Sequence, residues 1–285
     1  MSSNWLENAC RSALAAGLLK SGSTANLDRR GYVSAFHENV IEGVRLEDFE
    51  VDLRQGDGKE LEDKFCAPHS SSALAVNSFA PFKHEPQSLW LAQRQGFKTL
   101  SFERKCPTGL RGTPPHLDLG TEGPLGVVAV EAKCLEFVRN KRPPPGGRAQ
   151  FSDAYDTGIL DYRRGTRWFA HMRDLIKEPG AYQRLDAAQL IKHAFGLMHS
   201  FSDRPVTLLY LFWEPANPDV SPIFRDHRNE VRQFAEMIAG DGPDFLAMSY
   251  PELWCVWASM PGSDWIKTHV HRLRERYAVD VSNGD

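Results

Sequence analysis

The stretch PPHLDLGTEGPLGVVAVEAKCLE, Pro114 to Glu136, decides the fold of this chain. Asp118 follows a pair of prolines, and a link rich in glycine and proline leads into the apolar run VVAV at residues 127–130. That run ends in Glu131 and Lys133. Side chains alternate between the two faces of a strand, so Glu131 and Lys133 share one face. A strand this apolar is predicted to be buried on both faces.

Charges at the end of a buried strand are costly unless they are paired, neutralised or bound to a metal. Asp118 lies thirteen residues before Glu131, and a hairpin-like return would set the two carboxylates side by side. Two carboxylates and one ammonium group around a point are typical of a site for a hard divalent cation and a phosphate. The alternative is a salt-bridged strand end. An acid two residues before a lysine also occurs at Asp57, Glu62 and Glu103, so the tripeptide alone is not specific.

Asp118 and the tripeptide EAK at 131–133 resemble the motif of the PD-(D/E)XK nuclease superfamily, which includes type II restriction enzymes and many recombination and repair nucleases. The resemblance covers about Ser101 to Trp213. It departs from the motif at Leu117, which stands directly before the aspartate, with the prolines two and three positions before that leucine. The segment Ser70 to Asn77 also resembles an uncharacterised bacterial branch of restriction-endonuclease-like proteins.

This resemblance implies a metal-dependent nuclease that hydrolyses DNA phosphodiester bonds with Mg²⁺, for which Mn²⁺ can substitute. Asp118, Glu131 and the carbonyl group of Ala132 would hold the ion, since magnesium prefers oxygen ligands. Lys133 would orient the attacking water or offset charge on the phosphate. The set Asp118, Glu131 and Lys133 is therefore the predicted catalytic centre.

Two further carboxylates are candidates for the metal site. Glu103 lies at the end of a predicted strand, Phe97 to Lys105, and would approach the aspartate across the sheet. The alternative is that it pairs with Lys105. Glu38 lies on a predicted helix capped by Ser34, and the resembled superfamily often takes an acidic residue from an early helix. Its alternative is an exposed acidic helix face.

The strongest helical pattern runs from Asp186 to His199, with Asp186 as the N-cap residue. Members of the resembled superfamily often place a glutamine on the helix after the lysine strand, and Gln189 matches that position as a catalytic residue. The tyrosine that follows in some members is replaced by His193. The alternative for Gln189 is an ordinary surface glutamine.

A basic segment follows the predicted catalytic strand. The range 137–148 has no acidic residue and contains Arg139, Lys141, Arg142 and Arg148. These are candidate contacts to the phosphates of DNA, and the alternative is a solvated loop. The net charge of −3 argues against a protein coated with positive charge, although a global count does not exclude a local patch.

With 285 residues and 41% hydrophobic content, the chain can bury a substantial core, and one α/β domain is expected. We expect a helical N-terminal elaboration over about 1–95, a core over about 96–277 and a disordered tail over 278–285. Strands are predicted at 97–105, 127–133, 205–213 and 252–259. Alternating with helices, they give a mixed central β-sheet flanked by helices, the restriction-endonuclease-like architecture that the resemblance implies.

The remaining sequence features limit the function. No stretch approaches the ~20 uninterrupted apolar residues of a membrane span, and the N-terminus has no secretory pattern, so a cytoplasmic location is expected. Five widely spaced cysteines without a CxxC pair favour neither a disulfide framework nor a zinc ribbon. The alternative function is a nuclease fold kept as a nucleic-acid-binding or assembly module. Whether the substrate is DNA or RNA, whether the activity is that of an endonuclease or an exonuclease, and whether the chain forms a homodimer all stay open.

Overall fold

A computed structural model describes residues 3–22, 25–55, 61–139, 150–157, 166–261 and 263–282. Within these ranges the chain forms one five-stranded sheet in the order β1-β2-β3-β4-β5. The first three strands are antiparallel neighbours, whereas β3, β4 and β5 run parallel. The mixed sheet flanked by helices confirms the predicted fold class. The strands are β1 (Thr99–Lys105), β2 (His116–Gly123), β3 (Gly126–Lys133), β4 (Val206–Phe212) and β5 (Asp244–Ser249).

Most of the helices either precede the sheet or connect and follow its parallel strands. In the described ranges they are α1 (Ser3–Lys20), α2 (Glu50–Arg54), α3 (Ser71–Phe79), α4 (Asp153–Thr157), α5 (Thr166–Lys177), α6 (Ala187–Ser200), α7 (Pro222–Ile238), α8 (Tyr250–Ser259) and α9 (Asp264–Tyr277). α6 packs on β4 and α7 on β5, while α3 packs on β2 and β3. None of these helices has the length and apolar character needed to cross a bilayer.

The central strand β3 is buried from Gly126 to Ala132, and only its last residue, Lys133, is half-buried. This confirms the burial predicted from the apolar run. β3 starts after a tight hairpin, where Gly126 has a φ of +114°. A side chain at Gly126 would lie 2.2 Å from the carbonyl oxygen of Pro205, so glycine lets β3 approach the start of β4.

A second glycine sets the position of α6. A Cβ atom at Gly196 would lie 2.2 Å from the backbone carbonyl oxygen of Cys106, which follows β1. Real Cβ atoms do not approach an oxygen so closely, so only glycine allows this contact. The helix that carries the predicted residue Gln189 is thereby held close to the β1–β2 connection.

The last predicted strand is wrong. The range 252–259 is part of α8 instead of a strand, and the last strand, β5, lies just before it. Ser249 and Glu252 form a capping box, in which Ser249 Oγ accepts from the Glu252 N–H at 3.3 Å and Glu252 Oε2 accepts from the Ser249 N–H at 2.6 Å. Before β1, the chain makes a tight turn in which Leu91 and Arg94 exchange backbone hydrogen bonds of 2.9 Å.

The C-terminal segment packs against the fold as far as Val281, although we expected disorder from 278, and residue 282 is exposed. Val281 is 1% exposed, and its N–H donates to the side-chain oxygen of Asn217 at 2.8 Å. The Ala216 N–H donates to the carbonyl oxygen of Val279 at 2.9 Å. This segment is therefore joined to the chain that follows β4.

Candidate active site

The predicted carboxylate pair lies where β2 and β3 separate. The last ladder pair of the two strands is Leu119 with Val130, so Asp118 and Glu131 occupy the next opposing positions and share a face of the sheet. Asp118 Oδ2 accepts a hydrogen bond of 2.7 Å from the N–H of Ala132. The structure therefore brings together the two carboxylates that the sequence placed in one site.

Glu131 is 2% exposed and is held by two cationic or polar groups. Its Oε1 contacts Lys133 Nζ, and its Oε2 lies 2.9 Å from Nε2 of His193 on α6. Burial by itself would raise the pKa of Glu131, but Lys133 and His193 lower it to about 2. Glu131 is therefore ionised at neutral pH.

Asp118 has the opposite electrostatic environment. Its burial raises the pKa well above the ordinary value, and the negative charge of Glu131 raises it further. Lys133 and the N–H of Ala132 offset only part of this, and Glu103 adds a further repulsion. Neighbouring protein groups therefore compensate the negative charge of Glu131, but they compensate that of Asp118 only in part.

Lys133 lies among three carboxylates. Burial would lower its pKa, but Glu131, Glu136 and Asp118, in decreasing order of effect, raise the pKa above the ordinary lysine value. Lys133 is therefore a cation at neutral pH. Sequence reasoning assigned no role to Glu136, whose Oε2 accepts from the Cys134 N–H at 2.6 Å. The sequence signal that could have indicated Glu136 was its position only five residues after Glu131, directly beyond the end of β3.

Glu103 lies beside the pair on β1. The ladder joins Phe102 to Leu119 and Arg104 to Leu117, which leaves Glu103 opposite Asp118. Its φ is +49°, a left-handed conformation that costs free energy in a non-glycine residue and is typical of functional sites. A carboxylate oxygen of Glu103 lies 3.6 Å from Nδ1 of His116. Its role as a metal ligand stays a prediction.

Glu38 is not brought to this site. The predicted helix is wrong: a short 3₁₀ turn, Phe36–Asn39, lies there, because Glu38 Oε2 accepts from the N–H and Oγ of Ser34 and the N–H of Ala35. Glu38 borders a cleft of about 800 Å³ with residues of α1 and α9, and neither Asp118 nor Glu131 lines that cleft.

Gln189 lies on α6, one turn before His193, and is half-buried. The hydrogen bond seen for it in the described residues runs from its backbone N–H to Oδ1 of Asp186, the N-cap residue. The residue of this helix that contacts Glu131 is His193. A spacing of four residues puts both on one side of the helix, but the sequence did not show which of them faces the strand.

The basic segment is described only at its start. Arg139 Nε and Nη2 each lie 2.7 Å from a carboxylate oxygen of Glu7 on α1, so Arg139 is already paired. The predicted phosphate contacts Lys141, Arg142 and Arg148 lie outside the described residues.

The donor set at the strand ends suits a hard cation. In the described part of the chain, no group of three or more histidine, cysteine, aspartate or glutamate residues is arranged to hold a metal ion. Magnesium, however, commonly takes one or two carboxylates and completes its shell with water and phosphate oxygens. The uncompensated carboxylate of Asp118, beside Glu131 and next to the backbone of Ala132, fits that requirement.

A family model described as "Restriction Endonuclease associating with ARP" matches residues 8–278. No curated protein matches this chain, and no solved structure matches it. The family match includes every strand of the sheet and all the residues of the candidate site.

Proposed function

Since the chain belongs to the restriction endonuclease family described as associating with ARP, we propose that it is a metal-dependent nuclease of the PD-(D/E)XK type. Its substrate is the phosphodiester backbone of DNA, and its ion is Mg²⁺, with Mn²⁺ as a substitute. Association with ARP, which the family description names, belongs to the same proposal.

One observation carries the proposal: the opposite pKa shifts of two carboxylates that face each other beside Lys133. Burial and a neighbouring charge raise the pKa of Asp118, while Lys133 and His193 lower that of Glu131. Such divergent pKa values in one cluster are typical of catalytic sites. A purely structural salt bridge at the end of a strand would need only Glu131 and Lys133, and it would not require a second carboxylate that repels Glu131.

Asp118, Glu131 and the carbonyl oxygen of Ala132 would hold the ion. When bound, a divalent cation lowers the pKa of coordinated water and stabilises negative charge on the phosphate. In hydrolysis a water oxygen bonds to phosphorus and the water gives up a proton, while the bond to the leaving oxygen breaks and that oxygen takes up a proton. Lys133 offsets the charge that develops on the phosphate oxygens, and Gln189 is proposed to contact the water or the nucleic acid.

The second candidate function is a nucleic-acid-binding or assembly module without cleavage. Two observations favour it: both oxygens of Glu131 are engaged by protein groups, and no three-residue metal cluster occurs among the described residues. On this alternative, Lys133 and His193 would be permanent partners of Glu131.

Incubation of the purified protein with plasmid DNA, single-stranded DNA and RNA tests the proposal, each with Mg²⁺, Mn²⁺ or a chelator. We expect cleavage of DNA that requires the ion and is abolished in Asp118→Asn and Glu131→Gln. Glu122→Gln is the matched control, because Glu122 lies on β2 and pairs with Arg104 and Arg204. Cleavage by either site variant at the wild-type rate would refute the assignment, and binding of DNA without cleavage would favour the second function.

A further inference from the structure

His193 is a buried polar residue without aligned hydrogen bonds. It is 2% exposed, and within the described residues neither ring nitrogen meets the geometry of a hydrogen bond. Its Nε2 nevertheless lies 2.9 Å from Oε2 of Glu131. Buried polar groups without aligned partners are rare because they cost free energy, and they often mark functional sites.

The position of the ring is fixed by the packing of α6. Gly196, one turn beyond His193, lies against the backbone of Cys106. The neighbouring residues Ala194 and Leu190 are 0% and 1% exposed. The helix can therefore neither rotate nor withdraw without disturbing the core, and the imidazole stays beside Glu131.

His193 and Lys133 each contact a different oxygen of the Glu131 carboxylate. Lys133 Nζ contacts Oε1, and His193 Nε2 lies by Oε2. The ammonium group of Lys133 is at the end of a flexible four-carbon side chain, whereas the imidazole is rigid. A carboxylate held by Lys133 alone could rotate about its side-chain torsions, and the second contact removes that freedom.

We propose that His193 is a positioning residue, which holds Oε2 of Glu131 and so keeps this carboxylate in a fixed orientation beside Asp118 and Lys133. The inference rests on the proposed function, because it assigns a purpose to that orientation. Groups that orient a metal-ligating side chain typically change metal affinity 10–100-fold when they are removed.

The test compares two substitutions at this position. His193→Phe keeps a planar ring of similar size and removes both nitrogens, while His193→Gln restores an N–H donor near the place of Nε2. His171→Phe is the control, because His171 lies on α5, is 5% exposed, and has its Nε2 2.9 Å from the hydroxyl group of Tyr182. The dissociation constant of Mn²⁺ is measured by isothermal titration calorimetry, together with kcat and KM for DNA and far-ultraviolet circular dichroism.

We expect His193→Phe to bind Mn²⁺ roughly tenfold more weakly and to lose kcat with little change in KM. His193→Gln should recover most of the affinity, and the control should bind like the wild type. Wild-type affinity in His193→Phe, or an equal loss in the Phe and Gln variants, would overturn the inference. If His193→Phe does not fold, His193→Met takes its place, because it offers no donor.

The two proposals fail in different ways. A wild-type protein that binds no Mn²⁺ overturns the proposed nuclease function and the role of His193 with it. A wild-type protein that binds Mn²⁺ and cuts DNA, together with an unaffected His193→Phe variant, overturns only the role of His193.

Discussion

Two buried histidines outside the candidate site, His227 and His269, make the free energy of unfolding depend on pH. Burial lowers the pKa of His227 to about 3 and that of His269 to about 4, from an ordinary value of 6.5. The unfolded chain takes up these protons near pH 6.5, but the folded chain does not, so stability falls as the pH falls from about 6.5 toward 4. At pH 5 each histidine costs about 2 kcal/mol relative to pH 7, at ~1.36 kcal/mol per pK unit.

The substitution His269→Gln isolates one of these contributions. His269 Nε2 lies 3.0 Å from the carbonyl oxygen of Ser78, and a glutamine N–H can donate to the same oxygen without titrating. We expect the loss of unfolding free energy between pH 7 and pH 5 to shrink by about 2 kcal/mol in this variant. Urea unfolding followed by tryptophan fluorescence measures it.

The control for this experiment is His271→Gln, two residues further along α9. The side chain of His271 is 72% exposed and lies 3.5 Å from Glu275, so its replacement removes a histidine from the same helix without changing the core around His269. If His269→Gln lost as much stability as the wild type between the two pH values, His269 would not be a neutral buried histidine and the reasoning would be refuted.

Three other predictions concern the metal, the basic segment and the packing of α6. Calcium should raise the melting temperature without supporting cleavage, and at a hundredfold excess over its dissociation constant it should add about 2.7 kcal/mol to the free energy of unfolding. In Asp118→Asn the calcium-induced rise in melting temperature should be far smaller, and the metal-free variant should be at least as stable as the metal-free wild type. A wild-type melting temperature that does not change with calcium, magnesium or manganese would contradict the metal site. Neutralising Arg139, Lys141 and Arg142 together should lower the salt slope of DNA binding by about two, since Arg139 is already paired with α1; an unchanged slope would favour a solvated loop. Gly196→Ala should destabilise by about 1–3 kcal/mol despite its better helix propensity, because its Cβ meets a backbone carbonyl; a neutral result in urea unfolding would show that the helix shifts freely.

Local pattern was sufficient to predict the centre of the site. Strand alternation puts Glu131 and Lys133 on one face whatever the rest of the chain does. The short hairpin fixes the register that sets Asp118 opposite Glu131. Both inferences depend on residues less than twenty apart in the sequence.

The missed features depend on competing local signals or on distant packing. The aromatic and β-branched residues of WCVW at 254–257 favoured a strand, but the capping box of Ser249 and Glu252 and the packing of Trp254 and Trp257 produce a helix. The contact of His193 with Glu131 depends on how closely α6 approaches the sheet, and that distance is set by a backbone contact 90 residues away in sequence, between Gly196 and Cys106.

The strands that carry the candidate site differ in how readily they open locally, because one is at the edge of the sheet and another is at its centre. Glu131 lies on β3, which is paired on both sides, whereas Glu103 lies on β1, which ends the sheet. Outer strands open more readily than central ones, so the amide hydrogens of β1 should exchange with solvent faster than those of β3. A cation shared between Glu103 and the pair on β2 and β3 would couple the strands, and it would slow exchange most in β1. Hydrogen exchange with and without Mn²⁺ would thus distinguish a site confined to two strands from one that extends over three.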